Sequence, residues 1–195
     1  MANKDAAFGL RPVRMMGGAP YSGGQSRYRI ASGLSGKIFN GDLVKQVTGG
    51  GIERAAAGSA VPVVGVFNGC QYTDPTSGEQ VYSNYYPGSI AASDIIAFII
   101  DDPMTVFAIQ ADAAFPIADL FGNFDIVDQA TTGDTASGRS NVELDVTTGA
   151  TTTTLPLKAL DISQDPDNED VASANTNVLV VIQNHIAGVK SAGLA

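Results

Sequence analysis

The stretch Ser93–Asp112, SDIIAFIIDDPMTVFAIQAD, constrains the fold of this 195-residue chain more than any other. Two apolar runs, Ile95–Ile100 and Met104–Ile109, flank the polar break Asp101-Asp102-Pro103. β-Branched and aromatic side chains dominate both runs, which favours strands. Pro103 has no N–H for a helix or a ladder and pushes Asp102 away from helical geometry, so a single helix through the break is disfavoured. A membrane span needs about 20 consecutive apolar residues, whereas Asp94, Asp101, Asp102 and Asp112 bracket or interrupt this run. The stretch predicts a β-hairpin at the centre of a β domain, with Asp101-Asp102-Pro103 as its turn.

The same reasoning along the chain predicts an all-β barrel or sandwich of about eight short strands. Gln25–Ile30, Leu43–Val47, Val61–Phe67, Asn141–Val146 and Leu155–Ile162 read as strands, and Ala118–Val127 is a further apolar segment. Val178–Ile182 is almost continuously apolar, which suggests burial on both faces. Gly65, inside Val61–Phe67, marks a bend or a close backbone approach. Pro116 limits any helix near Ala111–Leu120. Gln71–Gly88 carries Tyr72, Tyr82, Tyr85 and Tyr86 and is expected to be a long, partly exposed aromatic loop. Thr131–Arg139 and Gln164–Asp170 read as polar loops. A chain of this length can bury about 70% of its unfolded surface, enough for a core without disulfides. The single cysteine, Cys70, has no adjacent His or basic cluster and reads as a small core residue.

Charge is unevenly distributed. Residues 1–54 hold eight Lys/Arg against three Asp/Glu, and residues 55–195 hold three against seventeen. Residues 1–24 combine Phe8, Leu10, Val13, Met15 and Met16 with glycines, prolines, Arg11 and Arg14, in neither helical nor strand period. They are expected to form an extended arm lying against something else, with residues 25–195 as the body. Such an arm suits an acidic partner, including a second copy of the chain. The bland alternative is an acidic body with ordinary scattered arginines. Nucleic acid is disfavoured as a partner because the acidic body repels phosphates.

Candidate chemistry is sparse. His185 is the only histidine, and a lone His serves as base or ligand only beside partners. Ala31–Ile38 lacks the leading Gly and the hydroxyl after Lys37 that a phosphate loop requires. Adjacent Asp101 and Asp102 point to opposite faces of an extended chain, so turn chemistry explains them better than a shared proton or metal. Asp165–Asp170 offers several oxygens, but Asp170 stands where an EF-hand needs Gly. The expectation is no catalytic residues, no cofactor, no metal and no enzymatic activity.

The ends of the chain carry a resemblance. Residues 2–14 (ANKDAAFGLRPVR) and Gly18-Ala19-Pro20-Tyr21 resemble the N-termini of small head proteins of tailed bacteriophages, especially those of aquatic hosts. Val63-Val64-Gly65-Val66, Ser137–Asp145 (SGRSNVELD), Leu155–Leu160 (LPLKAL), Asp165–Glu169 (DPDNE) and Val180–His185 (VVIQNH) are similar in the same order. The resemblance implies a capsid decoration, or cement, protein on the outer surface of the virion's major capsid lattice, made in the host cytoplasm. It implies a homo-oligomer, with a trimer favoured, whose partner is the major capsid protein, and neither nucleic acid nor membrane. Phe8, Leu10 and Val13 would anchor the arm, Arg11 and Arg14 would meet carboxylates, and Tyr82, Tyr85 and Tyr86 would offer a second contact surface. Two alternatives stand beside this: a tail or head-fibre component whose tyrosines bind host glycans, and a small β-fold hydrolase, which needs Asp101, Asp102, His185 or serines to converge.

Overall fold

The computed structural model describes residues 3–128, 132–168, 170 and 172–188, with the backbone alone at Asp167. The strands in chain order are β1 (Arg11–Met15), β2 (Ser26–Arg29), β3 (Leu43–Gln46), β4 (Ile52–Arg54), β5 (Val63–Thr73), β6 (Gln80–Ser83) and β7 (Ile96–Ile100). There follow β8 (Thr105–Gln110), β9 (Asn123–Val127), β10 (Gly133–Asp134), β11 (Arg139–Ser140), β12 (Glu143–Ala150), β13 (Leu157–Ile162) and β14 (Asn177–Ile182). Helical structure among the described residues is limited to 3-10 turns at Ile117–Asp119 and Pro166–Asn168. No helix among them is long and apolar enough to cross a membrane.

Two antiparallel sheets pack as a sandwich. The first has the order β1-β8-β14-β13-β9-β12, and the second β2-β7-β5-β3-β4, with β6 beside the far half of β5. The first sheet curls until Leu144 bridges Ala111, just beyond β8. One bridge is not a ladder, and the sheet stays open. Of the two expected architectures, the chain adopts the sandwich.

The expected hairpin does not form. β7 pairs with β2 and β5, whereas β8 pairs with β1 and β14, so the chain leaves one sheet at Ile100 and enters the other at Thr105. A tight hairpin wants residues that accept positive φ, such as Asn-Gly. Asp101-Asp102-Pro103 has no Gly or Asn, and Pro103 is fixed at negative φ. Instead the Asp102 side chain accepts the Met104 N–H at 2.8 Å, its carbonyl accepts the Thr105 N–H at 3.0 Å, and the chain turns a corner. Both runs are apolar throughout because each is an interior strand of a different sheet: β8 is buried along its whole length.

Two cores result. Between the sheets lie Phe107, Ile109, Phe124, Leu144 and Val180 against Leu43, Val63, Val66 and Ile100. On the outer face of the second sheet, Val64, Phe67, Cys70 and Ile99 are covered by Ile30, Ile38, Tyr86 and Ile95. β5 therefore has apolar residues on both faces, which explains its unbroken VVGVF. Gly65 is there for close approach: a Cβ on it would lie 2.3 Å from the Ile100 carbonyl oxygen. Replacing Gly65 by Ala forces β5 and β7 apart, and equilibrium urea unfolding should show a loss of about 3 kcal/mol.

Candidate functional site

The corner has a second strand beside it. β1 runs antiparallel to β8 and β2 antiparallel to β7, with Met15 opposite Thr105 and Ser26 opposite Ile99. Residues 16–25 therefore cross between the sheets alongside Asp101–Met104, tied by the Met16 N–H to the Met104 carbonyl at 2.8 Å. Tyr28 reaches over the same corner and donates its hydroxyl to Asp101 Oδ2 at 2.8 Å. Burial first, then this bond to Asp101, pushes the Tyr28 phenol up to about 12. The segment 11–29 is thus the terminal strand of both sheets.

That edge contains Arg11, Arg14, Arg27 and Arg29 and no acidic residue. Arg11, Arg27 and Arg29 are exposed, Arg14 is half-buried, and Val13 and Met16 are 42% and 45% exposed. Pro12 cannot donate to an added strand, and the register shifts between Pro12 and Arg14. Such features guard an edge against indiscriminate strand addition. They leave recognition to the side chains.

The structure distributes the expected contact residues unevenly. Phe8 is half-buried beneath the Arg11 guanidinium, 5.1 Å from the ring centroid. Leu10, expected as a surface anchor, is 2% exposed in the core between the sheets. The Leu10 N–H donates to the Gly41 carbonyl at 2.9 Å. From Asn3 onward the described part of the arm is tied to the chain's own body. Asn3 is buried and donates to the Asp170 carbonyl at 2.9 Å. The Gln110 side chain accepts the Ala6 N–H at 3.0 Å and donates to the Lys4 carbonyl at 2.8 Å. Gln110, the one polar residue ending β8, is the sequence signal for this docking, because a buried amide needs both partners.

The aromatic stretch is also more ordered than expected. β5 continues to Thr73 and pairs with β6, so Tyr72 is buried and Tyr82 stands out at 67% exposure. Tyr85 stacks on Phe39 with centroids 5.4 Å apart. Tyr86 is a correction: it is fully buried, and its hydroxyl donates to the Leu34 carbonyl at 3.0 Å. Tyr82, Asn84, Thr135 and Ser137 border a shallow cleft of about 280 Å³. Part of the expected polar loop at Thr131–Arg139 is the small β10–β11 hairpin, with Thr131 outside the described residues.

The ionisable groups mostly hold turns and sheets together. Asp42 is fully buried, accepting the Phe39 N–H at 2.8 Å and the Ser140 hydroxyl at 2.6 Å, with Arg54 Nε 3.3 Å away. Arg54 also pairs with Asp128, which ties β4 to the chain beyond β9. In the acidic loop, Asp165 accepts the Ser163 hydroxyl at 2.6 Å and Asp170 that of Ser173 at 2.7 Å. Glu169 and the Asp167 side chain lie outside the described residues. No group of three or more His, Cys, Asp or Glu side chains among the described residues is placed to hold a metal. His185 is 2% exposed and accepts the Ala187 N–H on Nδ1 at 2.9 Å. Burial holds it below the ordinary histidine range, with Asp101 and Asp102 among the smaller opposing influences. Those two carboxylates are taken up by Tyr28 and the Met104 N–H. Comparison of the chain with family models, curated proteins and solved structures gives no match.

Two measurements check these electrostatics. Burial raises the Asp42 carboxyl from 3.8 to about 6, against the lowering by Ser140, Arg54 and Phe39. The folded state therefore binds this proton more tightly than the unfolded state. The group's contribution to stability is greatest below about pH 4, falls as pH rises towards 6 and is level above that. The swing is about 3 kcal/mol, and Asp42→Asn should remove it from denaturation curves compared between pH 4 and 7. His185 acts oppositely, losing stability below its unfolded pKa, so the difference between wild type and variant isolates Asp42. Burial pushes the Cys70 thiol up to about 12, so an aromatic disulfide reagent at pH 8 should modify it only after unfolding.

Proposed function

We propose that this chain is a structural virion protein, a capsid decoration protein. It binds the outer surface of the major capsid lattice as a homo-oligomer, with a trimer favoured, and bridges capsomers against the pressure of the packaged genome. The observation that carries the reading is the 11–29 edge, four arginines without an acid beside exposed Val13 and Met16. An edge of that kind suits a carboxylate-bearing protein surface, where charge selects the partner and apolar contact holds it. The resemblance noted in the N-terminal and later segments supports the same reading. The role needs a rigid body and many weak contacts repeated over a lattice, which reinforce one another through effective concentration. It assigns no chemistry, cofactor, nucleic acid or membrane to the protein.

The test is co-sedimentation of purified protein with undecorated phage heads. Wild type should bind saturably. Exchanging Arg11 and Arg14 together for Glu should weaken binding by about tenfold or more, and added salt should narrow the gap. Failure of the wild type to bind heads would sink the proposal. A second reading is favoured by one observation, the exposure of Tyr82 beside its polar cleft. An aromatic face among hydroxyls and an amide suits a sugar ring, as in a tail or head-fibre component contacting host glycans. In that case labelled protein would sit on fibres or tail, and Tyr82→Ala would abolish host-surface binding.

A further inference from the structure

We propose that the basic edge of one copy seats in an acidic-rimmed apolar groove of a second copy, joining copies head to tail. The inference rests on reading the 11–29 edge as a contact surface and names the partner of that surface.

The groove lies between the Ile117–Asp119 turn and the chain leaving β13. Ile117, Leu120, Ile162 and Pro166 supply its apolar lining, Asp161 and Asp165 are exposed beside them, and its volume is about 530 Å³. That is ample for two or three side chains. Ile162 belongs to the core between the sheets and Leu120 packs against it, so the groove exposes the rim of that core, with Ile117 standing free of it. Ile117 is 66% exposed, and none of the residues of its turn is buried. Next to Leu120, Phe121 is 48% exposed at φ +68°. A bulky residue in the left-handed region is strained, and such strain persists only when the surroundings impose it. Here the surroundings are two ladder-like bonds to β13: Phe121 N–H to the Ala159 carbonyl at 3.0 Å, and Ala159 N–H to the Gly122 carbonyl at 3.1 Å. They leave the ring exposed at the surface, outside the lining of the groove.

Charge identifies that partner as a second copy. The edge offers Arg11 and Arg14 flanking exposed Val13, followed by Met16; the groove offers carboxylates flanking aliphatic surface. Copies with a net charge of −9 repel one another in most orientations. Edge-to-groove contact is an orientation in which both charge and apolar surface match. The two surfaces differ, so the contact is heterologous, and repetition closes a ring or extends a chain. Closure at three copies would give the trimer.

Sedimentation equilibrium of the free full-length protein, without heads, tests this. Wild type should associate as concentration rises. Arg11→Glu with Arg14→Glu, and separately Asp161→Lys with Asp165→Lys, should each weaken association by about tenfold or more. Far-UV circular dichroism should be unchanged, since Arg11, Asp161 and Asp165 are exposed and Arg14 is only half-buried. Mixing the two double variants should restore pairwise association between unlike copies, because opposite charges then meet at each unlike contact. The products are pairs, open chains or even-numbered rings, whereas a closed ring of three would always keep one like pair. Ile117→Ser should leave the melting temperature almost unchanged, since the side chain is 66% exposed, and yet weaken association, a combination a purely structural Ile117 does not give. A wild type that stays monomeric, or variants that mixing does not restore, overturns the pairing. So does loss of head binding in the Asp161/Asp165 variant with self-association intact, which gives the groove to the capsid. Intact head binding by a monomer refutes the pairing alone, and self-association without head binding refutes the decoration reading alone.

Discussion

The fold depends on a two-stranded ribbon bent over a corner. Residues 11–29 and 96–110 pair along both arms of the bend, so one end of the ribbon lies in each sheet. The bend is held by the Asp102 turn, the Met16–Met104 bond and the Tyr28–Asp101 bond. The inner strand of the ribbon then recruits β5 in one sheet and β14 in the other. The outer strand recruits nothing further and becomes the border of the molecule. The edge that carries the proposed function is thus a consequence of how the core is started.

Buried polar groups fasten the rest. The Asp42–Arg54–Asp128 group joins the far side of the second sheet to the first, while Asn184 Nδ2 donates to the Ala60 and Thr154 carbonyls at 3.2 and 2.9 Å. A buried ion pair adds little net stability over an apolar replacement, but losing one partner is costly, so such a group penalises misregistered packing. Asp42 sits where Gly41 and Phe39 turn into β3, beside the backbone that receives Leu10. The arm, the second sheet and the β11 chain through Ser140 meet at this point.

The sequence revealed class more readily than connection. Period and turn chemistry identified β2, β3, β13 and β14 and the apolar runs of β7 and β8, because those signals are local. They could not show that β7 and β8 part company. Two interior strands of different sheets and two interior strands of one hairpin have the same composition, and the lack of Gly or Asn between Asp101 and Pro103 is the one local hint of the difference. The β5–β6 pair was obscured by tyrosines whose burial is decided from outside: Tyr86 lies beneath the Leu34 and Ile90 backbone, while Tyr82 faces away. β1 was hidden because a strand with a proline and a bulge has no period. At the candidate site, Arg11, Val13 and Arg14 were legible as an unusual basic and apolar cluster. Arg27 and Arg29 join them only through topology, since nothing local says that β2 is terminal in its sheet. The groove at Ile117–Pro166 was not legible as a site, because its apolar and acidic walls, each visible in the sequence, come from segments some forty residues apart that only the fold brings together.

A decoration protein works by lending rigidity to a lattice, and the two filled cores, the guarded edge and the exposed apolar groove fit such a body. The most direct measurement of the central claim is amide hydrogen exchange on free and head-bound protein. Within 11–29, amides that exchange rapidly in the free protein should become protected on binding, with β7 and β8 slow in both states. Unchanged exchange across 11–29, with new protection confined to the Tyr82 cleft or elsewhere, would contradict the account.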